Sequence, residues 1–494
     1  MTDQLVLLVA APIFAALIPI LSGIVVDRSG RYVALGLAGL QVVLAGSVLE
    51  QVLRSGRFTY EVGGYVPPFG IELVADGVSA PLLVLIALTT LGVVVYSFHS
   101  GPHSDAFYSQ LLLLVAGLSG LVATGDVFNL YVFLEITGLA TYAIVASGRS
   151  SGAAYAALKY LIVGTIGASF YLLGVGYLFV ATGTLNMADL AQTLPEVGYT
   201  SPLVVAAFGF ISVGLAVKVA LFPLHTWQPD AYAESPHSVS AYIAALVSTA
   251  AAYALFRIVY GVFTLDFLEA VPLARNALLG FATVSIVVGA VLAVLQTDLK
   301  RMLAYSSVSH FGLVITGVAI ANETAVTGGL IHLVGHGIMK GGLFLAVGIF
   351  ATVAGVRRVD DLAGLGTRLP VTSAAFAVLA FSMVGVPPAI GFPGKWNIVV
   401  GAVEGGEWAV AVVVVASTLL TLGYFGRLVE RLYFAEAAPA SETGPEVAAD
   451  GGRGIEPSAL MVAIVVVATV LAVGLGLGVS NLIDAYEPVL EVYF

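Results

Sequence analysis

About fourteen apolar runs, most of them near twenty residues long, follow one another with little between them. A run of that length, rising about 1.5 Å per residue as a helix, spans the ~30 Å hydrocarbon core of a bilayer. In hydrocarbon only helices and closed barrels satisfy every backbone N–H and C=O. The runs fall near 5–26, 32–53, 76–98, 107–125, 127–147, 153–181, 202–222 with a broken continuation to about 232, and 237–260. The rest lie near 274–295, 302–320, 325–354, 371–400, 407–433 and 458–480. With 59% hydrophobic and 10% charged residues, no soluble core could absorb this apolar surface. The fold class is therefore all-α: a polytopic membrane protein of about 14 transmembrane helices, with the lipid bilayer as its solvent.

Little chain is left for anything else. Residues 54–75 are short and rich in Gly and Pro, and 435–457 are acidic and rich in Ala, Pro and Gly, the composition of a flexible linker. The start, MTDQLVLLVAAP, lacks the basic flank of a cleaved signal peptide and reads as the first spanning helix. A net charge of −11 has the wrong sign for nucleic acid, which is excluded as a partner. The absence of cysteine removes disulfides and thiolate metal sites.

Basic residues set the expected orientation. Odd-numbered connections hold Arg28, Arg31, Arg149, Lys300, Arg301, Arg357, Arg358, Arg368, Arg427, Arg431 and Arg453; even-numbered ones hold only Arg54, Arg57, Arg257 and Arg275. The positive-inside bias then puts the odd connections in the cytoplasm and both termini outside, in a cell (plasma) membrane.

Two runs are interrupted, at Phe222–Pro223 and at Pro387–Pro388 with Pro393 beyond. Proline cannot donate a backbone hydrogen bond, so a helix kinks or stops there. A lysine stands beside each break, Lys218 and Lys395. Irregular backbone at membrane depth persists only beside protein or a polar cavity, and paired broken helices mark ion sites in transporters. For either lysine alone, a packing kink with a snorkelling side chain remains an alternative.

A second constellation lies in LIHLVGHGIMKGGLF, where His332, His336 and Lys340 recur every four residues and so form one stripe along a helix, about 6 Å apart. Groups of adjustable pKa at that spacing suit proton transfer through intervening water. A pair of packing histidines bonded to backbone is the plainer reading. Zinc at HxxxH needs a third ligand and a carboxylate, which this run lacks. The acid comes earlier: Glu135 lies roughly 13 Å of helical rise beyond Asp126, close to mid-membrane. Paired with a buried lysine, both groups can stay charged. Asp126 itself reads as a helix N-cap.

These stretches resemble a known family. TGDVFNLYVFLEI (124–136), VKVALFPLHTWQPDAYAESPHSVSA (217–241), QTDLKRMLAYSSVSHFG (296–312), LIHLVGHGIMKGGLFL (330–345) and GVPPAIGFPGKW (385–396) are similar, in order and spacing, to the antiporter-like subunits of Mrp-type sodium/proton antiporters, complex I and membrane-bound hydrogenases, most of all to the Mrp D subunit. The resemblance implies two inverted five-helix repeats, each with a broken helix. It implies a division into helices one to three (1–106), a first repeat (107–260), a second repeat (274–433), an acidic linker (434–457) and a last helix with its tail (458–494). It implies an ion pair between Glu135 and Lys218, and a relay from the eleventh-helix histidines and Lys340 toward Lys395. Asp298 and Lys300 fall in a motif taken as structural.

The chain departs from this pattern twice. Thr249 stands where many relatives have a lysine, and His310 where they often have glutamine. The expected function is proton translocation within a multisubunit cation (Na+)/proton antiporter through Glu135, Lys218, Thr249, His332, His336, Lys340 and Lys395. Partner subunits are expected, and no cofactor, metal or catalytic residue. A membrane-arm subunit of a complex I-like respiratory complex or hydrogenase is the alternative. A haem protein using His332 and His336, or a non-conducting scaffold subunit, are further readings from other classes.

Overall fold

The computed structural model describes residues 3–101, 103–148, 150–435 and 456–494. Arg149, Arg453 and nearly all of the linker expected at 434–457 therefore lie outside the described residues. Among the described residues thirteen helices are long and apolar enough to cross a membrane: α1 Asp3–Gly23, α2 Gly30–Ser55, α3 Ser79–Ser100, α4 Asp105–Ala123, α5 Val127–Ala146, α6 Ala153–Thr182, α7 Pro202–Val219, α8 His237–Ala270, α9 Pro272–Val294, α10 Leu299–Ile320, α11 Glu323–Ala354, α13 Trp408–Phe434 and α14 Ala459–Leu477. The remaining spanning unit, α12, is made of two shorter pieces, Pro370–Val384 and Gly391–Glu404. The expected runs thus become helices nearly one for one. The chain is a multi-pass membrane protein, and large side chains on its outside such as Phe14, Val43, Val180, Leu419 and Val470 present apolar surface suited to acyl chains.

The runs at 107–125 and 127–147 part at Thr124–Asp126, where the Asp126 carboxylate accepts a bond from the Asn129 amide and caps α5. Beyond the expected elements, the stretch 54–75 holds a two-stranded antiparallel hairpin, β1 Phe58–Glu61 with β2 Glu72–Ala75. The α8 run continues past residue 260 through a π-turn at Val259–Phe263. Two surface helices, Met187–Val197 and Val479–Leu490, complete the face that carries the connections after α2, α4, α6 and α8. We call this the even face.

Helices α8, α10 and α11 form the centre, buried along most of their length. Glycine allows the close approaches around them. A Cβ on Gly394 of α12 would lie 2.9 Å from Cβ of His332, and one on Gly337 of α11 would lie 2.9 Å from the Ala245 carbonyl of α8.

Both breaks free backbone groups, and other helices satisfy them. At the first, α7 ends with Ala220 in the left-handed region (φ 66°). The Lys218 carbonyl accepts from Ser248 of α8 at 3.2 Å, the Val217 carbonyl from Trp227 Nε1 at 3.0 Å, and the Phe222 amide donates to Ser285 of α9 at 3.2 Å. A short helix, Gln228–Glu234, follows the break. At the second break the Ile390 amide donates to the Ala472 carbonyl of α14 at 2.9 Å. Gly476 lets that approach happen, since a Cβ there would meet the Pro388 carbonyl oxygen at 2.1 Å.

One bridge recurs on opposite faces. Asp126, before α5, pairs with Asn186, after α6, on the even face; Asp298, before α10, pairs with Arg358, after α11, on the other. Asp298 also caps its helix, accepting from the Arg301 amide. Lys300, at the foot of α10, donates to the Ser235 carbonyl at 2.7 Å and Ser240 Oγ at 3.0 Å, so it holds α10 to the start of α8.

On the even face a buried ion pair fastens α3 to α8. Arg257 Nη2 donates to both Asp76 oxygens at 2.5 Å. Burial alone would push the Asp76 carboxyl up, but the Arg257 guanidinium and the Ser79 and Val78 amides hold it below the usual carboxylate range. A depressed carboxyl stabilises the fold above its unfolded value of about 3.9 and loses that contribution as pH falls through the folded value. Asp76→Asn should cost about 3 kcal/mol near neutral pH, seen as a lower melting temperature in detergent. That deficit should shrink below pH ~4; a deficit that does not change with pH would contradict the pairing.

Candidate functional site

The fifth and seventh helices bring the first acid and base together. Lys218, one residue before the end of α7, lies 3.4 Å from Glu135 Oε1 and is nearly fully buried, whereas the Glu135 side chain keeps 22% of its surface exposed. The ammonium also donates to the Tyr142 hydroxyl at 3.2 Å. Tyr142 stands seven residues after Glu135, two turns along the same face of α5. Gly138 lies between them; a Cβ there would sit 2.9 Å from the Tyr142 hydroxyl and 3.2 Å from Lys218 Nζ. The break in α7 ends the helix beside the lysine, so no further turn crowds the ammonium.

From Lys218 a polar chain runs inward. Ser248, whose hydroxyl donates to the Lys218 carbonyl, accepts from Gln228 Nε2 at 3.2 Å, and Gln228 Nε2 also reaches the Tyr232 hydroxyl at 3.0 Å. Thr249 is different. It is buried, and its hydroxyl donates back to the Ala245 carbonyl of its own helix at 2.7 Å. The structure therefore joins α8 to Lys218 through Ser248 rather than through Thr249.

The second cluster is built on α10, α11 and α12. His332, His336 and Lys340 are all fully buried along α11. Lys340 Nζ donates to the Leu303 carbonyl of α10 at 2.8 Å and forms a short bond with Ser306 Oγ. His310 Nδ1 lies 2.9 Å from His332 Nε2, with the two rings stacked 5.1 Å apart. The His310 ring centre is 6.2 Å from that of His336, which packs against Phe311 at 4.4 Å. Lys395, from the second piece of α12, donates to the Val384 carbonyl at 2.9 Å and so caps the first piece. Lys395 follows Gly394, whose close approach to His332 seats the second piece of α12 against the α11 stripe. Among the described residues neither Lys340 nor Lys395 has a carboxylate partner.

Several ring nitrogens in this cluster have no protein partner among the described residues: both of His336, Nδ1 of His332 and Nε2 of His310. Buried polar atoms of this kind are where water hydrogen-bonds. Among the described residues no three His, Cys, Asp or Glu side chains converge as metal ligands would. The arrangement suits proton hand-over between lysines, imidazoles, hydroxyls and water.

Of the expected site residues, then, Glu135 meets Lys218, and His332, His336, Lys340 and Lys395 share one cluster. Among the described residues Thr249 shows a side-chain hydrogen bond to Ala245 and none to either group. The residues not foreseen as part of the site are Tyr142, Gln228, Ser306 and His310. The spacing from Glu135 to Tyr142 was a readable signal. For His310 only its identity stood out, and nothing local to α10 indicates that it faces the α11 stripe.

Comparison with known proteins decides the relationship. The family described as NADH:quinone oxidoreductase/Mrp antiporter, TM matches residues 124–421. The chain belongs to this family. The N subunit of the NADH-quinone oxidoreductase of Desulforudis audaxviator (strain MP104C) is 46% identical to this family member over 407 residues, 80% of each chain. The D subunit of the Na(+)/H(+) antiporter of Bacillus subtilis (strain 168) is 30% identical over 419 residues, 83% of this chain and 84% of that one. Among solved structures, a chain of the membrane-bound sulfane sulfur reductase, an archaeal respiratory membrane complex, superposes with a TM-score of 0.89 at 30% identity, covering 97% of this chain and 96% of that one. The family relationship agrees with the resemblance read from the motifs.

Tyr142→Phe removes one of the two acceptors seen by the Lys218 ammonium while leaving the ring in place. Hydrogen bonds to charged groups contribute about 1.5–3 kcal/mol, so proton-coupled turnover should fall about tenfold, equivalent to ~1.4 kcal/mol, with assembly unchanged. Wild-type turnover in a pH-gradient assay would show that the hydroxyl does not tune the lysine.

Proposed function

We propose that this chain is the proton-translocating subunit of a multisubunit monovalent cation (Na+)/proton antiporter in the plasma membrane. The observation that carries the reading is the Glu135–Lys218 pair at the break of α7, together with the buried cluster of Lys340, His336, His310, His332 and Lys395 across the centre of the chain. The similarity to the D subunit of a Na(+)/H(+) antiporter supports it. An acid–base pair at membrane depth has no packing advantage over apolar side chains, and charged groups there cost about 2.5–3.5 kcal/mol each by insertion scales.

In this mechanism Glu135 holds Lys218 protonated while the two are close. When the pair opens, the ammonium has lost its counter-charge and gives up its proton. The proton passes through water held by Ser248 and Thr249, reaches Lys340 and His336, and leaves through His310, His332 and Lys395. The partial exposure of Glu135 at mid-membrane depth is a reason to place a partner subunit there, whose movement or bound ion would open the pair.

Two inverted repeats, α4–α8 and α9–α13, belong to the proposal. Their support is the Asp126–Asn186 and Asp298–Arg358 bridges, which join corresponding connections on opposite faces, and the broken fourth helix of each set. The excess of basic residues in the odd connections favours a cytoplasmic odd face and external termini. A second reading, a proton-pumping membrane-arm subunit of a respiratory complex, is favoured by the 46% identity to the N subunit of an NADH-quinone oxidoreductase. It uses the same path with a different driving force, and the polypeptides that co-purify in mild detergent distinguish the two.

Glu135→Gln and Lys218→Ala should each abolish cation-dependent pH-gradient formation in inverted vesicles while the complex still assembles. Lys218→Arg should fail as well, because a guanidinium does not release its proton. Exchange at the normal rate in either of the first two variants would remove the ion pair from the mechanism.

A further inference from the structure

The even face carries a cavity of about 680 Å³ that the path above does not use. Its lining includes Glu72, Asp76 and Asp484 together with Tyr253 and Arg257 of α8. At about 30 Å³ per molecule, it has room for roughly twenty waters, and its lining mixes carboxylates, guanidinium and phenol. A cavity at one face of a membrane protein that exposes these charged and polar groups admits water.

The position of Tyr253 and Arg257 is the informative feature. Thr249, Tyr253 and Arg257 are spaced by four along α8, so they form one stripe with about 6 Å of rise between neighbours. Arg257 and Tyr253 line the cavity; Thr249, one turn deeper, does not. Tyr253 stands between Thr249 and Arg257 on the stripe. Its hydroxyl donates to the Val122 carbonyl at 2.9 Å and accepts from Arg257 Nε at 2.7 Å. Arg257 is held in turn by Asp76 and by the Tyr493 hydroxyl at 3.2 Å. These bonds fix the Tyr253 ring in the cavity lining.

We propose that this cavity is an aqueous port, closed by Tyr253, that brings water and protons from the even face to the level of Thr249. The proposal rests on the proton path described above and gives that path water access from the even face beside Thr249. A buried Asp–Arg pair could serve only to fasten α3 to α8, but it does not require a cavity of this size behind it. Swinging the Tyr253 ring aside, with the Asp76–Arg257 pair as its hinge, would connect the cavity to Ser248 and Thr249 without moving a helix.

The chain has no cysteine, so a single introduced thiol reports on one place. In vesicles containing the assembled complex, Thr249→Cys should react with a membrane-impermeant, cationic methanethiosulfonate at least tenfold faster than Ala250→Cys, its buried neighbour off the stripe. It should do so from the face marked by Glu196→Cys on the surface helix Met187–Val197, and not from the face marked by Arg358→Cys. Adding Tyr253→Ala to Thr249→Cys should raise the rate about tenfold further. Equal rates at 249 and 250, or reaction at 249 only from the face of Arg358, would overturn the port. Labelling reads water access rather than turnover, so failure of the port is distinguishable from failure of the path.

Discussion

Everything in this chain accommodates a few charges held where hydrocarbon would reject them. Lys218 is nearly fully buried and faces Glu135 at 3.4 Å, a loose contact for an ion pair. A tight bidentate pair would be stable but immobile. A lysine and glutamate at this distance, with a tyrosine hydroxyl as third partner, can exchange closure for opening at modest cost. The same logic governs Lys340 and Lys395, which rest on a carbonyl or a serine instead of a carboxylate. Those acceptors hold an ammonium in place without supplying a counter-charge.

The helix breaks follow from this requirement. An unbroken α7 would continue past Lys218 and bury its carbonyl in the helix ladder. The break instead turns that carbonyl toward Ser248 and links the acid–base pair to α8. At α12 the break allows Lys395 to reach back to Val384, and it needs Ala472 and Gly476 of α14 to take up the freed backbone. The last helix, otherwise a plain apolar span, is thereby part of the site's support.

Much of this was legible in the sequence because the bilayer permits so few solutions. Run length set the spans, proline set the breaks, and the improbability of lysine in an apolar run marked Lys218, Lys340 and Lys395. Four-residue spacing put His332, His336 and Lys340 on one stripe. What could not be read depends on which distant helices touch. His310 was visible as an unusual residue, but its place against His332 is set by the packing of α10 against α11. Ser306 and Gln228 are ordinary polar residues until a lysine or a serine from another helix arrives beside them. The role of Thr249 is the clearest case: the sequence marked the position, and the structure shows its hydroxyl turned back to Ala245, with Ser248 making the contact to α7. The β-hairpin and the π-turn in α8 lie where Gly, Pro and aromatic residues weaken any periodic pattern.

The central claim is that the buried groups form one continuous proton path rather than two separate half-channels. Lys340 is its midpoint, fully buried and without a carboxylate partner among the described residues. The direct test is proton flux through the assembled, reconstituted complex carrying Lys340→Met, which keeps the volume and removes the charge. A continuous path predicts that cation-driven proton movement stops while the complex remains intact. Proton movement at the wild-type rate with methionine at 340 would contradict it.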